Sequence, residues 1–174
     1  MKAIQSKVAL FAVAFLGLAV WANAQTHSTL KANPNFDKMK TLEGDWEGSF
    51  NEGGKSYPAH VVVHIISDGS VVMHEIDPGG PHNMVTMIHQ DGDALLATHY
   101  CAGHNQPRMK LVPGDDPKSL AFDFMDGTNI APGDGHMQGV KFIFVDADHH
   151  YEDWSYNDNG KITTSRFEFH RKKA

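Results

Sequence analysis

The densest group of residues that could do chemistry lies between His99 and Met109. It reads His-Tyr-Cys-Ala-Gly-His-Asn-Gln-Pro-Arg-Met and runs from the end of one predicted strand, through a loop, into the next. Strand alternation puts His99 and Cys101 on one face, and Arg108 can return opposite them. An imidazole, a thiol, two amides and a guanidinium together can bind a carboxylate or another polar group. The predicted ligand-binding residues of this segment are therefore His99, Cys101, Asn105, Gln106 and Arg108. The alternative is that Asn105, Gln106 and Pro107 only shape a turn.

The same segment admits metal binding and catalysis. His99-x-Cys101 is half of a site for zinc or copper, because thiolate and imidazole suit these ions. The missing ligands would have to come from elsewhere in the fold, and the metal candidates are His74, His99, Cys101 and His149, with Glu152 as a further donor. His99, Tyr100 or Cys101 could instead act as acid, base or nucleophile in a small enzyme. The spacing alone decides between none of these.

A second polar stretch runs from Asp148 to Trp154. Alternation places His149, Tyr151 and Asp153 on one face and His150, Glu152 and Trp154 on the other. Both faces mix polar and aromatic residues, so the pattern does not say which one faces the interior. Trp154 is added to the predicted ligand-binding residues. The chain has 12 histidines in all, about three times average usage, and they are dispersed.

The elements that must position these residues are mostly strands. The segment Asn33-Pro34-Asn35 predicts the cap of a short helix over Phe36 to Thr41. After it, about ten short strands follow at 8–12-residue spacing, separated by Gly-, Asp-, Asn- and Pro-rich turns such as Asn157-Asp158-Asn159-Gly160. Sequential hairpins favour a meander over a Greek key. The prediction is an all-β, single antiparallel up-and-down β-barrel of about ten strands, of the lipocalin and fatty-acid-binding kind, with one short N-terminal helix.

Gly44, Trp46 and Gly48, together with the closing hairpin Asp158-Asn159-Gly160-Lys161, carry a family resemblance. Over residues 35–171 the chain resembles the calycin-like barrels, and among them the lipocalin-like bacterial proteins of unknown function related to nitrobindin. In such barrels a basic residue of the last strand covers the opening tryptophan. The resemblance therefore implies that Arg166 makes a cation–π contact with Trp46 and closes the barrel.

Nitrobindin-like proteins bind ferric haem through a histidine close to the C-terminus. His170 lies near the end of this chain, but the residues around it do not match that motif. The haem ligand is therefore not carried over to this sequence, and the cofactor stays open.

The N-terminus reads as a leader. Lys2 and Lys7 precede an apolar run from Val8 to Val20, which is short for a membrane span, and Ala22-Asn23-Ala24 supplies a cleavage site. The predicted organisation is a signal peptide over 1–24, a flexible arm over 25–34 and a barrel domain over 35–174. The protein is predicted to be exported, to the periplasm or beyond it.

Composition narrows the partners. The chain has 15 Lys and Arg against 21 Asp and Glu, for a net charge of −6, and loss of Lys2 and Lys7 with the leader makes it more acidic still. This net charge argues against nucleic acid and against an anionic membrane surface as partners, and the prediction is that the protein binds neither. Cys101 is the only cysteine, so the chain forms no internal disulfide and its stability must come from packing.

The predicted function is an exported small-molecule-binding barrel, with an apolar or amphipathic ligand in its interior and polar anchors near the mouth. The predicted apolar wall comprises Phe122, Phe124, Phe142, Phe144, Phe167 and Phe169. The alternatives are a metal- or haem-binding barrel, a small enzyme with His99, Tyr100 or Cys101 at its site, and a filled barrel with a structural role. The oligomeric state stays open.

Overall fold

The computed structural model describes residues 31–173. The predicted signal peptide lies outside the described residues, as does most of the predicted arm. The described chain contains one helix and ten strands: α1 (Pro34–Lys40), β1 (Gly44–Glu52), β2 (Lys55–Ile66), β3 (Val71–Ile76), β4 (Met84–Asp91), β5 (Ala94–Tyr100), β6 (Gln106–Val112), β7 (Ser119–Thr128), β8 (His136–Phe144), β9 (His149–Asp158) and β10 (Lys161–Arg171). Within this described range, no helix has the length and apolar character needed to cross a membrane.

The strands form a closed barrel in sequence order. Each strand pairs antiparallel with its neighbours along the chain, and β1 closes the sheet by pairing with β10. The turns carry the conformations that two-residue hairpins need; in the β9–β10 hairpin, Asn159 and Gly160 have φ of 50° and 89°. The predicted up-and-down barrel with a short N-terminal helix is confirmed.

One end of the barrel is plugged by α1. Asn33, in the predicted capping segment, caps the helix by accepting hydrogen bonds from the backbone N–H groups of Asn35 and Phe36, and the helix begins at Pro34, two residues earlier than predicted. The helix buries Phe36 and Met39 against the core. This end, which we call the closed end, also holds the buried Trp46, whose indole Nε1 donates to the Leu42 carbonyl at 2.7 Å.

The basic residue over Trp46 is Arg171, so the prediction of Arg166 was wrong. The Arg171 guanidinium lies 4.1 Å from the centre of the Trp46 ring, and the two residues face each other in the β1–β10 register. Arg166 has the opposite strand parity to the buried Phe169. It therefore points outward, where it donates two hydrogen bonds to Asp153 at 2.7 Å.

The middle of the barrel is filled with side chains. Phe122 and Phe142 are fully buried and pack edge to face, with ring centres 6.2 Å apart. Of the predicted apolar wall, Phe122, Phe142 and Phe169 belong to this packed core, whereas Phe124, Phe144 and Phe167 are half-buried. At this level the aromatic residues pack against one another rather than around an open space.

The described part of the predicted arm contacts the β4–β5 hairpin. Lys31 forms an ion pair with Asp93 at 3.0 Å, and its backbone carbonyl accepts a hydrogen bond from the Gln90 amide at 3.0 Å. The Asn33 amide reaches the Asp93 carbonyl at 3.4 Å.

Candidate functional site

A buried polar network crosses the interior of the barrel. The even-numbered residues of β9 face inward, so His150, Glu152 and Trp154 are all buried, and the odd-numbered residues face out. His74 of β3 meets them from the opposite wall. The sequence left both faces of β9 open; the neighbours settle the matter, because Glu152 lies directly opposite Phe142 of β8 and Phe167 of β10.

Glu152 is the hub of this network. One carboxylate oxygen, Oε1, accepts hydrogen bonds from His74 Nε2 at 2.8 Å and His150 Nε2 at 3.0 Å. The other, Oε2, accepts from Trp154 Nε1 at 2.8 Å. An ionised carboxylate only accepts, so both imidazoles must carry a proton on Nε2. Burial raises the pKa of Glu152, but attraction to His74 and the hydrogen bonds from both imidazoles outweigh it and hold the pKa below its usual range.

His99 extends the polar network along the neighbouring strands. His74, Thr86 and His99 face one another in register across β3, β4 and β5, and all three are fully buried. The Thr86 hydroxyl and His99 Nδ1 are 2.8 Å apart and share a hydrogen bond. Burial, and then the charge of His74, lower the pKa of His99 to about 4. His99 is therefore a neutral imidazole at neutral pH.

Three imidazole nitrogens of this network have no hydrogen-bond partner among the described residues, although each is buried: His74 Nδ1, His99 Nε2 and His150 Nδ1. Buried polar atoms in folded proteins are nearly always paired, so unpartnered ones call for an explanation. Trp154 packs beside two of these rings, with centres 5.1 Å from His99 and 6.0 Å from His74.

The end of the barrel away from α1, which we call the open end, is less completely covered on one side. Along the inner face of β10, Thr163 is exposed, Ser165 and Phe167 are half-buried, and Phe169 is buried. The inner faces of β1, β2 and β9 show the same gradient from the open end inward. We call this region the mouth and define it by the partly exposed inner-face residues Phe50, Tyr57, Tyr156, Thr163, Ser165 and Phe167.

Aromatic rings line the mouth in a row. Phe50 stacks on Tyr57 with centres 5.4 Å apart and on Phe167 at 4.6 Å. The row continues inward through Phe169 to His150 at the bottom of the polar network. Tyr57, at the outer end, is 40% exposed. Solvent therefore reaches an aromatic inner wall at the same end from which Trp154 covers the network.

Two loops cover the other side of this end. They are the β5–β6 connection, residues 101–105, and the β7–β8 connection, residues 129–135. The buried Asn105 joins them by donating from its amide to the Gly135 carbonyl at 2.8 Å. Asn105 Oδ1 is buried and has no partner among the described residues.

The structure disperses the predicted 99–109 site. His99 lies in the interior, and Asn105 and Gln106 hold loops, with Gln106 Oε1 accepting from Thr128 and Asn129. Half-buried Cys101 accepts a weak hydrogen bond from the Gly103 N–H.

The expectation that Arg108 faces His99 or Cys101 is wrong. Arg108 lies opposite Thr98 in the β5–β6 register and points outward, because Thr98 is one residue out of phase with His99. There it binds Asp126 with two hydrogen bonds of 2.5 Å and is 49% exposed on its side chain. It is therefore not available as an anchor inside the barrel.

Some residues of the predicted metal and catalytic sites point away from the others. His149 lies on the outer face against Asp146, so it cannot join His74 and His99, and Tyr100 points outward and is 49% exposed. His99, Tyr100 and Cys101 do not converge. Within residues 31–173, no three His, Cys, Asp or Glu side chains are arranged to hold a metal ion. His170 lies outside as well, 3.6 Å from Glu47.

Sequence reasoning grouped His74 and Glu152 with His99 only as possible metal ligands, and it did not include Thr86 or the hydrogen bonds of Glu152. His74 and Glu152 are 78 residues apart, and their contact depends on closure of the sheet. The available signal was a carboxylate sharing a strand face with histidine and tryptophan. Thr86 offered no signal, because a threonine in an apolar strand is ordinary.

Comparisons with known proteins show the fold and no more. No family profile matches the chain, and no curated protein matches it. Rv2717c from M. tuberculosis has a similar structure, with a TM-score of 0.56 at 12% identity over 82% of this chain and 100% of that one. A protein of unknown function of the DUF3598 family from Nostoc punctiforme gives a TM-score of 0.53 at 11% identity over 77% of this chain. This chain spans 48% of that second protein. What the chain shares with both is the fold.

Proposed function

We propose that the protein binds a small, largely apolar molecule in the mouth of its barrel, as a lipocalin-like binding protein. The apolar body of the ligand packs against Phe50, Tyr57 and Phe167. A polar group of the ligand points towards the His74–Glu152 network beneath Trp154. The observation that carries this proposal is a solvent-reached aromatic inner wall in the same barrel interior as a network in which His74 and His99 each keep a buried, unpartnered imidazole nitrogen. The third such nitrogen, on His150, lies deeper, because that ring is 4.3 Å from the Trp46 ring of the closed end.

The aromatic wall supports the apolar part of this proposal. Phe50 and Phe167 lie on the concave inner face yet remain half-buried, while the aromatic residues deeper in the barrel are fully covered. Exposed aromatic surface in a concave site is what small-molecule sites of barrels present. A ligand that covered these rings would complete the burial gradient that the inner faces of β10 and β1 begin.

The polar network supports a binding site with specific polar contacts rather than a purely apolar one. A barrel that served only as a structural module would gain little from a buried carboxylate and three imidazoles, because well-packed apolar residues in place of buried ionic groups are often neutral or stabilising. Perturbed titratable groups concentrate at functional sites. Trp154 is the only inner-face residue whose side chain both bonds to Glu152 and packs against His74 and His99 in the described structure, so its movement would connect mouth and network.

A matched pair of variants tests the mouth. Ser165 lies half-buried on the inner face and the adjacent Thr164 is exposed on the outer face. Ser165→Trp fills the mouth, whereas Thr164→Trp adds the same surface outside. We expect the neutral dye phenylnaphthylamine to fluoresce on binding wild type and Thr164→Trp, and to lose at least about tenfold in affinity for Ser165→Trp, a change of about 1.4 kcal/mol.

Circular dichroism of both variants checks that the barrel is intact. Equal dye binding by wild type and by a folded Ser165→Trp would overturn the proposal, and so would no binding by any of the three. Native mass spectrometry of the gently purified protein then identifies any small molecule that it retains.

Export is a separate part of the proposal, supported by the leader-like residues 1–24. We expect the mature chain to begin at Gln25 and to appear in the periplasmic fraction or the medium of expressing bacteria. The intact mass of the fractionated protein measures this. A cytoplasmic protein with an intact N-terminus would contradict it.

A further inference from the structure

We propose that the ligand of the mouth is uncharged, and that the mouth selects a neutral, flat apolar molecule against anions and cations of the same size. This inference rests on the proposed function and specifies the ligand class of that same site. It follows from which charges the barrel places around the mouth and which it leaves out.

The inner wall offers no fixed cation. From Trp46 up to Tyr57 and Thr163, the inner faces of the ten described strands carry no lysine or arginine. Arg171 shares the inward parity, but it lies at the closed end over Trp46. The titratable residues of this inner wall are Tyr57, His74, His99, His150, Glu152 and Tyr156.

The loops around the open end repeat this pattern. The five connections there span residues 53–54, 77–83, 101–105, 129–135 and 159–160, and their sequences contain no lysine or arginine. They contribute Asp77 and Asp134 instead. Two lysines stand at the hairpin tips beyond these residues, and each is matched by an acidic residue directly opposite: Lys55 faces Glu52, and Lys161 faces Asp158.

The interior histidines do not supply the missing positive charge. His74 and His150 both donate their Nε2–H groups to Glu152, so neither of these N–H groups is free to bind an anion in the mouth. His99 is neutral at neutral pH because burial and the charge of His74 lower its pKa to about 4. An anion that left water for the mouth would therefore find no cation to replace its hydration, and it would stand above Glu152.

A cationic ligand is disfavoured for a different reason. Below Tyr57 and Thr163, the only carboxylate on the inner wall of the described barrel is Glu152, and its two oxygens already accept three N–H groups. The carboxylate is also beneath Trp154 and fully buried. A cation in the mouth would give up its water and gain only cation–π contacts with the aromatic rings, because the Glu152 oxygens are already hydrogen-bonded. A neutral molecule with one hydrogen-bonding group loses little on entry and can use an unpartnered imidazole nitrogen.

Three naphthyl compounds of nearly equal size test this inference: naphthylmethanol is neutral, naphthylacetate is an anion and naphthylmethylamine is a cation at neutral pH. Each is titrated against phenylnaphthylamine bound to the wild-type protein. We expect the alcohol to displace the dye at a concentration at least about tenfold lower than either charged compound. Equal displacement by all three, tighter binding of the acetate or the amine, or no displacement by the alcohol would overturn the inference.

A second arm exchanges the selectivity. Ser165→Lys places an ammonium group in the mouth, and Thr164→Lys places the same group on the outer face one residue away. We expect Ser165→Lys to raise the affinity for naphthylacetate, relative to that for naphthylmethanol, by about tenfold or more. Thr164→Lys should leave the ratio of these two affinities as it is in wild type. An unchanged ratio in a folded Ser165→Lys would count against the inference. If Ser165→Trp binds the dye as well as wild type does, the proposed function itself is wrong. This outcome differs from an unchanged affinity ratio in Ser165→Lys, so failure of the function and failure of this inference are distinguishable.

Discussion

At the scale of single residues, the unusual feature is an ionised carboxylate in the core of an otherwise apolar barrel. Burying such a charge costs several kcal/mol unless it is paired and hydrogen-bonded. Glu152 meets that condition through two imidazoles and one indole, and each of these donors comes from the barrel wall. The carboxylate thereby fixes which nitrogen of His74 and His150 carries a proton. It leaves the Nδ1 atoms of both rings without a partner in the described structure.

His99 makes stability depend on pH in a defined window. Its folded pKa of about 4 lies below the ordinary histidine value of about 6.5. As the pH falls below about 6.5, His99 becomes protonated in the unfolded chain but stays neutral in the folded barrel. The free energy of unfolding therefore decreases until the pH reaches about 4. We expect wild type to lose about 2 kcal/mol more unfolding free energy than His99→Gln between about pH 7.5 and about pH 5.

Urea denaturation at the two pH values measures this difference. Glu152 does not interfere, because its lowered pKa costs stability only below the ordinary glutamate value of about 4.3. His64→Gln, at an exposed outer position of β2, is the control and should keep the wild-type pH dependence. If His99→Gln shows the same loss as wild type, His99 is not the group responsible.

Strand alternation explains which single residues could be placed from the sequence. It correctly groups His99 with Leu95 and Ala97, because all three are buried on one face of β5. It does not place Arg108, whose position depends on the register of β6 with β5. Applied to β10, it excludes Arg166 from the interior, because Arg166 alternates with the inward Phe167 and Phe169. A shift of one residue moves a side chain from the inside to the outside of a barrel, and the sequence carries no direct record of that register.

At the scale of elements, Arg171 joins three segments at the closed end. Its guanidinium donates to the carbonyls of Thr41 and Glu43, between α1 and β1, and to the Ala147 carbonyl before β9. The same group covers Trp46. Arg166, in contrast, makes only an ion pair with Asp153 on the outer wall, over the Tyr151 ring. Arg171 therefore stabilises the closed end of the barrel, whereas Arg166 forms a surface ion pair.

We expect Arg171→Ala to lower the unfolding free energy by about 2–3 kcal/mol, because hydrogen bonds from a charged donor and a cation–π contact are lost together. Arg166→Ala is the matched control and should cost under about 1 kcal/mol, as exposed ion pairs do. Urea denaturation compares them, and Trp46 emission should shift to the red only in Arg171→Ala. Equal losses, or a larger one for Arg166→Ala, would contradict this assignment.

The number and order of the elements were predictable, whereas their convergence was not. Turn residues such as Asp91-Gly92 and Asn159-Gly160 mark hairpins locally, which is why the ten strands could be predicted. The contact between β3 and β9 across the interior depends instead on the curvature of the sheet, which is set when β1 pairs with β10. No local pattern encodes that distance, so the His74–Glu152 contact appears only in the structure.

At the scale of the whole molecule, the barrel has a direction. Lys31, Lys38, Lys40 and Arg171 gather near α1 and the closed end, whereas the loops of the open end carry no lysine or arginine. The core grades from fully packed around Trp46 and Phe142 to half-exposed at Phe50. Packing and basic charge are thus concentrated at one end, and the other end is where we propose that a neutral molecule binds.

Closure also predicts how the molecule unfolds. Each of the ten strands pairs on both sides, so breaking any pair exposes two edges and weakens the whole ring. We expect the closed end and the polar network to unfold in one transition. The predicted mature chain has two tryptophans, because Trp21 is removed with the signal peptide. Trp46 reports on the closed end when Trp154 is replaced by Phe, and Trp154 reports on the polar network when Trp46 is replaced by Phe.

Urea curves of Trp154→Phe, read through Trp46, and of Trp46→Phe, read through Trp154, are each compared with far-ultraviolet circular dichroism of the same variant. Within each variant the fluorescence and dichroism midpoints should coincide, even where the two variants differ in stability. If the Trp154 signal changes before the strands unfold, the open end is a separate unit. The mouth and its polar floor would then open without loss of the barrel, and ligand entry past Trp154 would require only that local step.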